Sequence, residues 1–454
     1  MRDDQIIDAQ SGVNRRGLLK SAAAAVATAA FPMPAIALAK PFSGVTLRGA
    51  SYQHHFLTIL QGYIPEFEQQ TGIKVDLQLS PFPIYNEMVS QELAAGGSAF
   101  DFINVTFFLA ARWVTAGYLT DLDEFTADAN LTPPEWKSDD FVAGAQLPYR
   151  DARGGTFGFA WEGGAMVMGL SRMDLMEQKG LKIPRTFDEL TEVCAEIHGT
   201  DDVNGFVSWR LHHWCLIPYL QGFGGNVFRN PPSDLTPTLN SPEAIRAAEY
   251  YANLLKNYAP RDVLTYSEDR ARLSMLMGHS NTFIHSSSWV TPILLSDESR
   301  VRDTSCVVRM PAGPLNDHPA SNSQGLGIPR NAKNRIAAWE FIKWALSPEM
   351  CMRIVKEHHH ATVCRRSVIQ SDEYRSINTV NGQDLGALYL DVLELPAKGD
   401  NYMAYRTVKE FPVVGDAVNA AIDQVVTGKR SARDAMNGAQ QQAMANLRSA
   451  SAEP

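Results

Sequence analysis

Phe67-Glu68-Gln69-Gln70-Thr71-Gly72-Ile73-Lys74-Val75 decides the fold, because the spacing of apolar residues changes inside it. Upstream, Phe56, Ile59, Leu60, Tyr63, Ile64 and Phe67 recur at three- and four-residue intervals, one apolar stripe on a helix. Pro65 falls within that stripe and predicts a kink or restart, and Gly72 predicts the end. From Ile73 the period becomes two, with Ile73, Val75, Leu77 and Leu79 on one side and Lys74, Asp76 and Gln78 on the other. That is a strand. Outward from this switch, Gly44 to Arg48 reads as a short strand, Ile84 to Ala95 as a helix stopped by Gly96-Gly97, and Phe100 to Val105 as an apolar strand. The order β-α-β-α-β implies a mainly parallel sheet with helices on both faces.

The alternation continues. Thr186-Phe187-Asp188-Glu189 is a capping box, in which the threonine oxygen accepts from a free backbone N–H and the glutamate reaches back. Ser241-Pro242 and Ser347-Pro348 each place a capping serine before a proline at the first helical position, and their helices should run to about Asn257 and Glu357. Asn281 to Ile284 and Ser305 to Met310 read as strands, and a last helix opens at Ser431 after Gly428. No repeat, low-complexity tract or linker interrupts the pattern. At ~100–200 residues per domain, the 454 residues fit two α/β lobes that share crossovers better than two separate beads.

Apolar content of 45% permits a full core. The formal charge is −9, and the first 39 residues carry four basic and three acidic side chains, so their removal leaves about −10. With no basic run, nucleic acid is excluded as a natural partner. Those first residues read as an export signal. Asn14-Arg15-Arg16-Gly17-Leu18-Leu19-Lys20 precedes an alanine-rich stretch from Ser21 to Phe31 and then Ala37-Leu38-Ala39, a charged region, a short apolar run and a small-x-small cleavage site. The paired arginines resemble the twin-arginine signal. The apolar run is shorter than the ~20 residues of a spanning helix, so a periplasmic chain beginning at Lys40 is expected. Cys194, Cys215, Cys306, Cys351 and Cys364 form no CxxC pair and no disulfide framework. They are expected to be buried free thiols, with Cys351 and Cys364 the one close pair that could bridge.

Several segments are similar, in order, to family 1 extracellular solute-binding proteins of ABC importers, the group that includes maltodextrin- and glycerol-phosphate-binding proteins. The opening stretch resembles the family's "FExxTGIxV", Phe100-Asp101-Phe102-Ile103 its "xDVx" strand, and Gly117-Tyr118-Leu119-Thr120-Asp121-Leu122-Asp123 its "GxLxPLD". Gly180 to Leu190 resembles "GLxxPxTWDEL", Ser287-Ser288-Trp289 "GSW", and Ala338 to Trp344 with Ser347-Pro348-Glu349 "AWEFIKWLxSPE". Two departures stand out. Leu170-Ser171-Arg172-Met173-Asp174 replaces the family's "YYNKD", and Arg365 or Arg366 stands where its late "PxR" arginine would be, without the proline. The resemblance implies a two-lobed periplasmic binding protein fold of type II, closing by a hinge around a ligand. Expected boundaries are 40–153 with 305–350 for lobe 1, and 154–304 with 351–454 for lobe 2.

Strand-end loops facing a cleft nominate the ligand contacts. From lobe 1 come Tyr52, Gln53, His54 and His55 after the first strand, and Thr106 and Phe107 after the strand ending near Val105. Trp161 and Glu162 follow the expected hinge strand from Gly154, and His212 and Trp214 lie in the loop from Arg210. Trp289 is nominated by its match to the family's "GSW" tryptophan, and Gln324, Gly325 and Arg365 by later cleft loops. Sugars need aromatic plates beside planar donors and acceptors. Trp161 and Trp214 could equally be core, and Trp339 and Trp344 read as helix packing. His54-His55 and His212-His213 read as cleft or surface polar residues. His358-His359-His360 reads as a helix end, since consecutive helical positions diverge by about 100° and that end favours positive charge.

The expected function is capture of a carbohydrate or polyol and its delivery to an ABC importer permease, by a monomer with no cofactor, metal or catalytic residue. Acidic or phosphorylated sugars are the alternative ligands, through Arg210, Arg365 and Arg366. A secreted carbohydrate-active enzyme is the alternative of another class, although Gly278-His279-Ser280-Asn281-Thr282 lacks the second glycine of a nucleophile elbow and no HExxH, P-loop or GxGxxG after a strand is present. A sensor or chemoreceptor could read the same closed state as a permease.

Overall fold

Gly72 adopts a left-handed backbone (φ 82°) and its amide donates to the Glu68 carbonyl, so the helix His55–Thr71 ends there and the chain is released into a strand. Pro65 is accommodated inside that one helix. The computed structural model describes residues 42–231, 233–317, 322–398 and 411–452; the expected export signal, residues 1–39, lies outside them. Nine strands build the two central sheets: β1 (Thr46–Tyr52), β2 (Lys74–Ser80), β3 (Phe102–Thr106), β4 (Phe159–Gly163), β5 (Ala165–Arg172), β6 (Asn204–Phe206), β7 (Ser280–Ser286), β8 (Ser305–Arg309) and β9 (Ser323–Gly327).

The first sheet has the order β2-β1-β3-β9-β4 and the second β8-β5-β7-β6. As the opening pattern implies, β1 pairs in parallel with β2 (Thr46 opposite Lys74) and with β3 (Gly49 opposite Phe102). Both sheets are nevertheless mixed. The chain leaves the first sheet at the end of β4 and re-enters it at the start of β9, with Ser323 opposite Gly163, so β9 must run antiparallel to its neighbours. Likewise β5 enters the second sheet where β8 leaves it, and that pair is antiparallel, while β6 and β7 are parallel.

Sheet membership also relocates segments. Phe159–Gly163, expected in lobe 2, is an edge strand of the first sheet, and Ser305–Arg309, expected in lobe 1, is an edge strand of the second. Residues 351–377, expected in lobe 2, remain on the first: Arg353 pairs with Glu66 at 2.6 Å, and the Tyr63 hydroxyl donates to Glu357 at 2.6 Å. Helices Phe411–Val426 and Ala432–Ala452 return to the second, where Asn419 accepts from the His213 amide and Gln440 from the Leu239 amide, each at 2.9 Å.

The caps form as the sequence predicts. Thr186 accepts from the Glu189 amide at 3.2 Å, and Ser241 and Ser347 accept from Ala244 and Met350, both at 3.1 Å. Glu189 reaches the Arg185 amide, one residue before the cap. Trp339 is fully buried and donates to Thr132 at 2.8 Å, and Trp344 packs on Phe67. All five cysteines are buried and free, and burial pushes the Cys351 thiol up to about 12. Among the described residues no helix is long and apolar enough to cross a membrane.

Candidate functional site

The carboxyl ends of β1 and β4 and the start of β9 lie along one edge of the first sheet. From them Tyr52, Gln53, His54, His55, Glu162, Asn322 and Gln324 line a cavity of about 650 Å³. Across it, the chain after β6 supplies Trp209, Leu211 and Trp214, the end of β7 supplies His285, Ser286, Ser288 and Trp289, and the helix Glu268–Leu276 supplies Glu268 and Arg272. Phe82 and Phe107, each opening a helix after a strand of the first sheet, complete it. Two further cavities of about 570 Å³ open on outer faces, each lined by residues of a single sheet's side. Only a site between sheets can couple ligand contact to their relative position.

His54 caps the first helix, its Nδ1 accepting from the Phe56 amide at 3.2 Å. The proton therefore sits on Nε2, 3.4 Å from Glu162 Oε1. Burial alone would raise the Glu162 carboxyl; His54, with help from His360 and Ser288, outweighs burial and holds it below the usual carboxylate range. Glu162 is 7% exposed, and Thr362 adds a hydroxyl donor at 3.4 Å. On the opposite wall the Trp289 indole N–H donates to Glu268 at 2.6 Å, and the Arg272 guanidinium lies 5.1 Å from the Trp289 ring centre. His285, 5% exposed, stacks on Trp209 and lies 3.4 Å from Glu268 without a hydrogen bond. Both His285 ring nitrogens, Trp209 Nε1 and Arg272 Nε are buried and make no hydrogen bond among the described residues.

The histidines set a pH dependence. Burial drives the fully buried His360 down to about 3, against the opposing pull of Glu162, with His54, His55 and His358 adding to the lowering. The unfolded imidazole protonates near 6.5, so below that pH the unfolded chain binds a proton that the folded chain refuses. Stability is therefore fully present above about 6.5 and is lost as pH falls toward about 3, by up to roughly 1.4 kcal/mol per unit. His55 and His285 are lowered by burial in the same sense. Urea unfolding at pH 7, 5.5 and 4.5 should show the decline, and His360→Gln should flatten it; an equal slope in the variant would reject this assignment.

Of the nominated residues, Tyr52, Gln53, His54, His55, Phe107, Glu162, Trp214, Trp289 and Gln324 meet at this cavity. The others do not. Thr106 is buried and donates to Asn86 at 3.1 Å, and Trp161 stacks on Phe56 and donates to Asn104 at 2.9 Å. His212 is buried between Tyr251 and Asp423, and Gly325 lies in β9 against Tyr149. Arg365 is wholly buried between Trp136 and Phe141, and Arg366 pairs with Glu394. Two of the three arginines on which the anion-binding alternative rested are thus engaged away from the cavity. The three consecutive histidines diverge: His358 meets the Tyr63 hydroxyl at 2.8 Å, His359 caps its helix with φ 53°, and His360 faces Glu162 and Thr362.

Sequence reasoning missed Glu268, Arg272, Trp209 and His285. Ser267 before two acids is a helix-start signal and does cap, accepting from the Arg270 amide at 3.2 Å. Nothing in that helix's weak apolar pattern says that its first turn faces a cavity.

Beside the cavity the chain crosses between the sheets at Gly163-Gly164. Gly164 has φ 94°, and a Cβ there would lie 2.6 Å from the Ser287 hydroxyl oxygen. Ser287 donates to the Gly163 carbonyl at 2.7 Å, the Gly164 amide donates to Asn322 at 2.9 Å, and the Tyr389 hydroxyl lies 3.3 Å from Gly163.

The family model for bacterial extracellular solute-binding proteins matches residues 56–350. An erythritol/L-threitol-binding protein of Mycolicibacterium smegmatis is 21% identical over 345 residues, 72% of each chain. A mannitol-binding protein of Pseudomonas aeruginosa is 22% identical over 373 residues, 79% of this chain and 83% of the other. Among solved structures, an ABC transporter solute-binding protein of Agrobacterium radiobacter in complex with ribitol superposes with a TM-score of 0.75 at 21% identity, covering 89% of this chain and 99% of that one. Maltose-bound MalE3 of T. maritima gives a TM-score of 0.71 at 21% identity, covering 88% and 99%.

Proposed function

The chain belongs to the bacterial extracellular solute-binding protein family, and from that premise we propose that it captures a polyol or small carbohydrate between its two sheets and passes it to an ABC importer. The observation that carries this reading is that Trp209, Arg272 and His285, each with a buried nitrogen that makes no hydrogen bond among the described residues, line one cavity together with the aromatic plates of Trp214 and Trp289. An unsatisfied buried polar group costs about 1–3 kcal/mol. A hydroxyl both donates and accepts, so a chain of hydroxyls can satisfy such a wall while its CH faces lie on the indoles. Relatives named for erythritol, L-threitol and mannitol point the same way.

In this reading the protein works after export, as a monomer, and closes about the crossing at Gly163-Gly164. A ligand touching both sheets stabilises only the closed arrangement, and that differential contact is the signal read by the permease. The ligand leaves unaltered. Erythritol, ribitol, mannitol and maltose should be titrated by calorimetry and thermal shift. At least one is expected to bind at about micromolar strength or tighter, near −8 kcal/mol, to raise Tm by linkage, and to be recovered unchanged by NMR. Absence of binding across that panel, or recovery of a transformed compound, would overturn the proposal.

A further inference from the structure

We infer that Glu268 is the residue that makes this cleft select uncharged polyols over their acids. The inference rests on the proposed ligand site and adds a specificity-determining role to it. Each wall of the cavity carries one carboxylate, and the two stand in different surroundings. Glu162 is almost wholly buried, and the protein answers it with His54 at 3.4 Å, Thr362 at 3.4 Å and His360 at 3.7 Å. Glu268 has a side chain 35% exposed, and its contacts are the neutral Trp289 indole at 2.6 Å and His285 at 3.4 Å. Burial pushes His285 down, so it brings no charge near neutral pH. Arg272, one turn further along the same helix, leans on Trp289 and approaches the exposed Asp269 at 3.8 Å.

An incoming carboxylate would therefore meet a like charge on a partly desolvated wall, where repulsion is several times stronger than in water. A hydroxyl meets an acceptor instead. Without the Glu268 charge, the same wall still offers an anion donors that make no hydrogen bond among the described residues: one nitrogen of the neutral His285 ring, Trp209 Nε1 and Arg272 Nε. Charge-assisted hydrogen bonds to an anion are then available. Discrimination by a repulsive element is a common route to specificity, and this geometry supplies one.

The test compares the native protein, Glu268→Gln and Glu268→Asp by calorimetry against erythritol, ribitol and mannitol and the matching aldonates, erythronate, ribonate and mannonate. Glutamine keeps an oxygen to accept from Trp289 and removes the charge; aspartate keeps the charge. The native protein is expected to bind an alditol at least about tenfold more tightly than its aldonate. Glu268→Gln should lower the aldonate Kd by about tenfold or more, and Glu268→Asp should not. Equal native binding of acid and alditol, no aldonate gain in a folded Glu268→Gln protein, or an equal gain in Glu268→Asp would each overturn the role. Native protein that binds neither class would sink the ligand-site reading, and this one with it, so the native titration alone tells the two failures apart.

Discussion

Arg365→Ala is expected to lower the unfolding free energy by about 3–5 kcal/mol. The guanidinium is 0% exposed. It donates to the Leu346 carbonyl, to the Trp136 carbonyl at 2.7 Å and to the Lys137 carbonyl at 3.1 Å, and it stands 3.3 Å from Asp140. The Trp136 and Phe141 rings lie 4.5 and 4.3 Å from its central carbon. Truncation would open a cavity, orphan three carbonyls and leave Asp140 with only the Ser367 donors. Urea unfolding measures the loss. A change below about 1 kcal/mol would show that the clamp is redundant, and weakened ligand binding at unchanged stability would return Arg365 to the cleft.

Trp289→Ala is expected to weaken polyol binding by roughly tenfold to a hundredfold, the range for truncating a buried aromatic anchor. The indole is held from two sides, by its N–H bond to Glu268 and by Arg272 over its ring, so little ordering cost remains when a ligand arrives. Its loss removes the plate and frees both neighbours. Trp289→Phe keeps a plate without the N–H and should fall between. Calorimetry with an alditol that the native protein binds decides the matter, and unchanged affinity in the alanine variant would remove Trp289 from the site.

What could be read from the chain alone was local. The change of period at Gly72, the serine and threonine caps and the strand ends are written in neighbouring residues, and strand ends nominated most of the contacts that reach the cavity, with Trp214 coming from a His- and Trp-rich loop and Trp289 from the family resemblance. Sidedness was harder. In a pleated strand successive side chains face opposite ways, so Glu162 lines the cavity while Trp161 enters the core, and Gln324 lines it while Gly325 does not. The sequence names both members of each pair and does not choose between them. Partners distant in the chain were out of reach altogether. Arg365 resembles a ligand-binding arginine until Asp140 and the Trp136 carbonyl, more than two hundred residues away, are seen around it. Sheet membership was hidden for a related reason: β4 and β8 are both short strands, and only their hydrogen-bonded neighbours say which sheet each one joins.

The five sequestered thiols have a practical corollary. Since none is exposed or bridged, maleimide dyes added to the folded protein should find no native target. Cysteines engineered at one exposed position on each side of the cleft would then be the sole attachment points, and the distance between two fluorophores could follow opening and closing on single molecules without first stripping the chain of its own sulfur.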